Sequence, residues 1–208
     1  MSTILHLSAG RLAVAFLVST TLGSGAWAFQ ESPMLADLVA AGQLPPVTER
    51  LPANPSVVEA LSVGQYGGTW RRAFKGPGDR WGPTKLMEER VLKYTAMPDG
   101  SVELTPAYIE SYSVNESATE FTFTLLEGMK WSDGHPVTTA DVKFWYEDVF
   151  LNKDLTPSFE TYLAPGGKPL TVEIADERTF TVKFETPYVY FLTILAQDST
   201  SGPFLDRP

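Results

Sequence analysis

Residues 121–150 read FTFTLLEGMKWSDGHPVTTADVKFWYEDVF and hold a strand, a turn and a helix in one run. Phe121, Phe123 and Leu125 alternate with Thr122 and Thr124, the period of two expected of a half-buried strand. Ser132, Asp133, Gly134 and Pro136 then spell a turn. An Asp side chain there can accept from backbone N–H groups downstream, and Gly adopts the positive φ that other residues resist. Thr138 followed by Asp141 is the spacing of a capping box, with the carboxylate placed at the positive end of a helix. Val142, Trp145, Tyr146, Val149 and Phe150 follow at helical spacing and give one broad apolar face.

The flanks of this block supply partners for it. Residues 105–114 pair naturally with Phe121–Leu125 across the polar turn at Asn115–Thr119, a first hairpin. Leu170–Ile174 alternates, Asp176-Glu177-Arg178 turns, and Thr179–Phe184 alternates back, a second hairpin. After Pro187, the aromatic and branched residues from Tyr188 to Ala196 predict a short buried helix. Upstream, Thr84–Tyr94 reads as a helix with Leu86, Met87, Val91, Leu92 and Tyr94 as its apolar positions, and Pro98-Asp99-Gly100 as a tight turn behind it.

The ordered pattern Phe-Thr-Phe-x-Leu, Gly-Met-Lys-Trp-Ser-Asp-Gly, Pro-Val-Thr-x-x-Asp-Val resembles the signature of the family 5 extracellular solute-binding proteins, the peptide, nickel and oligosaccharide receptors of ABC importers. It departs at Leu126, where that family usually carries a basic residue. Further resemblances run in family order: Tyr66-Gly-Gly-Thr-Trp-Arg-Arg-Ala-Phe74 is similar to the first core strand, and residues 44–52 to the extended arm of longer members. The resemblance implies a mixed α+β and α/β chain, the N-terminal part of a periplasmic binding protein-like fold. It holds the first strand of lobe I and the additional β-rich domain, and lacks the second lobe, so the chain reads as truncated. The signature itself is a folding landmark, expected to act structurally.

Residues 1–28 predict a secretory signal peptide. Arg11 closes a short polar start, Leu12–Leu22 is largely apolar, and Ala26-Trp27-Ala28 offers a cleavage site. That apolar run is about half of the roughly 20 residues a membrane span requires. The 208-residue chain carries 16 basic and 25 acidic residues, a net charge of −9. Removing residues 1–28, with Arg11 as their single charge, makes it −10. So acidic a chain argues against nucleic acid as a partner. There is no Cys for a disulfide or a lipid anchor, and His6 and His135 are the only histidines, so a zinc site of His and Cys is ruled out. His135 sits inside the turn already described, a poor place for a catalytic triad. The adjacent acids Glu88 and Glu89 diverge on a helix and cannot flank one glycosidic bond.

Three regions are therefore expected: the signal peptide 1–28, an extended arm with a short helix over 29–65, and a partial solute-binding domain over 66–208. The arm owes its extension to Pro45, Pro46, Pro52 and Pro55, and its helix to Pro33 behind the Ser32 cap. The Gly- and Pro-rich loop 75–83 has no Gly-Lys-Ser/Thr ending and so no phosphate-cradle signature. By resemblance, Phe74, Lys75 and Trp81 are the ligand-contact candidates from that first strand and loop. Phe159 and Tyr162 join them from the segment after the signature helix. The function implied is periplasmic capture of peptides or related oligomeric solutes by a monomer that delivers them to ABC permease subunits, with no catalysis, metal or cofactor. The alternatives are a secreted carbohydrate-active enzyme or carbohydrate-binding module, suggested by five Trp, eight Tyr and many acids, and an export chaperone.

Overall fold

The computed structural model describes residues 29–57, 62, 64–71, 73, 75–76, 89–97, 99–197 and 204–205. The proposed signal segment, and Phe74 and Trp81, lie outside them. Two short helices open the described part, α1 (Ala36–Ala40) and α2 (Val47–Arg50). Six strands follow: β1 (Leu92–Ala96), β2 (Val102–Pro106), β3 (Ile109–Val114), β4 (Glu120–Leu125), β5 (Thr171–Ile174) and β6 (Thr179–Lys183). Helix α3 (Thr139–Phe144) runs into a π-helical turn at Trp145–Phe150, and α4 (Phe191–Leu195) comes last. No helix among the described residues is long and apolar enough to cross a membrane.

β1 and β2 form a two-stranded ribbon; the other four strands form an antiparallel sheet in the order β3-β4-β6-β5. Both expected hairpins are present, and the sheet is completed by β4 pairing with β6, so that Phe123 sits opposite Phe180 and Phe121 opposite Val182. Phe121, Phe123 and Leu125 are fully buried and the threonines between them half-buried, as their alternation requires. On the open face, Thr122 and Thr181 hydroxyls meet at 2.9 Å across the ladder. The buried face is covered by Val142, Trp145, Phe150, Phe191 and Leu195. Phe204 completes it, packed against the rings of Phe123, Phe180 and Phe191 and edge-on to Trp145 at 5.0 Å.

The turn and helix start follow the chemistry of their residues. Asp133 Oδ1 accepts from His135 N, Gly134 has φ +91°, and Gly134 N donates to Trp131 O. Thr138 N donates to Asp141 Oδ2 at 2.8 Å while Thr138 Oγ1 accepts from the first turn of α3, a complete capping box contributing about 1 kcal/mol. Thr139 then fastens α3 to the β5–β6 turn, its N donating to Glu177 O and its hydroxyl to Asp176 O. Asp176 itself accepts from the N–H groups of Arg178 and Thr179.

Three expectations fail. The arm's helix starts at Ala36 behind Leu35 with no side-chain cap, not at Pro33 behind Ser32. Of the helix expected over 84–94, residues 84–88 lie outside the described residues, and Leu92–Ala96 is a strand, not a helix. Leu92, Tyr94 and Ala96 alternate with Lys93 and Thr95. The turn through Asp99 and Gly100, closed by Met97 N to Ser101 O, hands β1 a hydrogen-bonding partner in β2 that a helix would leave unused. The strand expected at 66–74 is likewise not seen: its described positions, 66–71 and 73, are exposed and irregular. A strand requires a neighbour for its backbone groups, and no ladder among the described residues includes this segment.

The arm is bound to the domain, not a free linker. Ala53 N donates to Glu127 O, Lys130 Nζ to Glu49 O, and Lys93 Nζ to Ser56 Oγ. Arg50 holds both carboxylate oxygens of Glu31 and donates to Pro45 O. Gly128, at φ +73°, allows this approach, since a Cβ there would lie 3.3 Å from Ala53 N.

Candidate functional site

The residues between α3 and β5 build a hollow beside the core. In the π-helical turn, backbone bonds span one residue more than in an α-helix. Trp145 and Phe150 thereby stack at 5.1 Å with their planes 21° apart. Beyond it the chain folds back: Thr156 N donates to Asn152 O and its hydroxyl to Val149 O, both at 2.7 Å. Leu163 is buried, and its carbonyl accepts from Leu170 N at the entrance to β5. Between the turn and this returning loop lies a hollow of about 280 Å³, lined by Trp145, Phe150, Thr156, Glu160, Tyr162 and Leu163 among others.

Two of the five residues expected at the ligand meet this region. Tyr162 lines the hollow, half-buried, and burial pushes its phenol up to about 12, with smaller contributions from Glu160 and Tyr188. Phe159 lies alongside, its ring 4.6 Å from Phe150 and capped by Lys153 Nζ at 3.6 Å from the centroid. Lys75 is exposed in the loop after the Gly-Gly segment. Trp145, Phe150, Thr156 and Glu160 were not singled out from the sequence as ligand contacts. The first two read there as the apolar face of a helix, and a hydroxyl and a carboxylate in a loop carry no signal until the loop folds back. The hollow combines aromatic walls with a hydroxyl and a carboxylate, which suits a ligand with both apolar and hydrogen-bonding parts. Among the described residues no group of His, Cys, Asp or Glu is arranged to hold a metal.

Residues 103–203 match the middle region of the bacterial extracellular solute-binding proteins, family 5. The chain belongs to this family. It is 30% identical over 168 residues to the periplasmic alpha-galactoside-binding protein of Rhizobium meliloti, covering 72% of this chain and 24% of that protein. The probable peptide-binding protein YejA of Agrobacterium fabrum is 35% identical over 127 residues, 57% of this chain and 20% of that protein. Among solved structures, an oligopeptide-binding protein OppA superposes with a TM-score of 0.72 at 42% identity, over 84% of this chain and 27% of that one. The fold is thus part of a periplasmic binding-protein fold. As a family 5 solute-binding protein the chain spans about a quarter of the length of these relatives. They are binding proteins, and nothing in them supports a carbohydrate-active enzyme.

Proposed function

We propose that this chain contributes one wall of the solute cleft in a periplasmic binding component of an ABC importer for peptides or short oligosaccharides. The observation that carries the reading is the hollow behind the π-helical turn, where Tyr162 and Glu160 face a pocket walled by Trp145 and Phe150 in a family 5 chain. Residues 1–28 direct export, 29–65 form the docked arm, and 66–208 belong to the solute-binding domain. Phe74, Lys75 and Trp81 meet the solute from the loop side, and Phe159 and Tyr162 from the hollow. Capture makes and breaks no covalent bond. The solute is enclosed as two lobes close about a hinge, and the closed monomer is what the permease subunits recognise.

The chain spans about a quarter of its relatives' length, and on this reading it supplies one of the two walls of the cleft. Halving the roughly 8 kcal/mol of a micromolar receptor leaves about 4 kcal/mol, which is millimolar binding. The test is a titration of the purified chain with mixed tripeptides and with raffinose-type oligosaccharides, followed by NMR, with a parallel assay for hydrolysis products. Weak, saturable shifts at Tyr162 and its neighbours without product are expected. Product formation, or binding that leaves residues 145–163 unperturbed, overturns the reading.

A further inference from the structure

A second hollow, of about 380 Å³, lies where the arm meets the signature turn, and it shares no lining residue with the first. Leu44, Pro45 and Glu49 line it from the arm, and Lys130, Trp131 and Asp133 from the turn. Lys130 Nζ donates to the main-chain oxygen of Glu49 at 2.7 Å, and not to its carboxylate. Among the described residues neither the Lys130 ammonium nor the Glu49 carboxylate has an ion-pair partner. Arg50, also in the lining, is instead committed to Glu31 at 2.6 Å. Asp133 is occupied within its own turn, accepting from His135 N and lying 3.6 Å from His135 Nδ1. The hollow therefore brings together the Lys130 ammonium and the Glu49 carboxylate, neither held in an ion pair among the described residues.

A ligand of single charge gains at one of these groups and loses at the other. A ligand with both charges on one carbon satisfies both at once, and Leu44 and Pro45 leave an apolar wall for a side chain. We propose that this hollow binds a zwitterionic α-amino acid, its carboxylate on Lys130 and its ammonium on Glu49. This site goes beyond solute capture at the first hollow. Its charged groups are exposed, where such contacts are weak, so the binding is millimolar.

Trp131 supplies the readout. Its indole Nε1–H is buried with no acceptor among the described residues, and the residue forms part of the wall. The purified chain, labelled with nitrogen-15, is titrated with L-leucine, with acetate and with ethylamine, following the Trp131 indole resonance assigned from Trp131→Phe. A saturable shift with L-leucine and none with the two single-charge probes is expected. Glu49→Gln and Lys130→Gln should each weaken that binding about tenfold, the loss of one charged hydrogen bond. The dispersion of the same spectra reports that each variant is folded. No shift with L-leucine, equal shifts with acetate or ethylamine, or unchanged affinity in both folded variants overturns the proposal.

Discussion

Removing the ring of Phe204 tests the packing of the whole core. The residue is fully buried and meets Phe123, Trp145, Phe180 and Phe191, although only one short stretch of chain carries it there. Truncating such a ring to Ala typically costs about 3–5 kcal/mol, from lost transfer energy and the cavity left behind. Four ring neighbours from β4, β6, the π-helical turn and α4 hold that cavity open, which favours the upper half of the range. Phe204 also has φ +82°, a conformation that a β-carbon resists and Gly accepts. Phe204→Ala keeps that strain, whereas Phe204→Gly removes it, so the glycine variant should be about 1 kcal/mol less destabilised than the alanine variant. That order reverses the one usual at ordinary backbone positions. Urea melts of the parent and both variants, followed by near-UV circular dichroism, measure all three stabilities. A Phe204→Ala loss below about 1 kcal/mol would show that the ring does not close the core. Equal losses in the two variants would refute the strain argument.

Gly134→Val should lower stability by about 1–3 kcal/mol through its φ alone, since no atom lies where the Cβ would go; thermal melts check this. Asp133→Ala in the same turn should lower the midpoint without altering solute binding at the hollow beside the π-helical turn, and binding lost there at an unchanged midpoint would contradict that. Gly128→Ala should loosen the arm, because the new Cβ presses on Ala53 N, and limited proteolysis should then cut within residues 29–57 sooner. Stability should fall in alkali. Burial raises the phenols of Tyr108 and Tyr162 above their ordinary value of 10.0, so the stabilisation they give is complete below pH 10 and is lost as pH rises above it, that of Tyr162 by about pH 12 and that of Tyr108 at higher pH. Each phenol steepens that loss by at most about 1.4 kcal/mol per pH unit, less for the partly exposed Tyr162. Urea midpoints across that range for Tyr108→Phe against the parent measure its share.

The parts legible in the sequence are those whose causes are local. The alternation of Phe121–Leu125, the Asp133-Gly134 turn and the Thr138–Asp141 box each act within a few residues, and each is present as read. The pairing of β4 with β6 joins residues some sixty positions apart, and no local pattern announces it. β1 is not legible locally because Leu92 and Tyr94 fit either period, and the decision belongs to β2 across the turn. Phe204 and Leu205 stand between Gly202-Pro203 and Asp206, an apolar pair too short to show a period or mark a core position. At the site, Phe159 and Tyr162 were reached through family resemblance. Trp145 and Phe150 were visible as apolar positions, but their stacking depends on a hydrogen-bond register that apolar spacing does not encode. The arm's docking rests on side-chain bonds to main-chain oxygens, such as Lys130 to Glu49, which composition cannot reveal.

The π-helical turn at Trp145–Phe150 has a consequence for insertions and deletions. Such a turn holds one residue more than an α-helical path between the same anchors. Deleting one of residues 146–149 would let the segment close as ordinary helix between the same anchors, with the returning loop still in register. Trp145 and Phe150 would then stand four positions apart, neighbours on one α-helical face, and would keep the wall that Tyr162 faces. Relatives one residue shorter through this segment should therefore share the pocket shape, whatever their identity elsewhere.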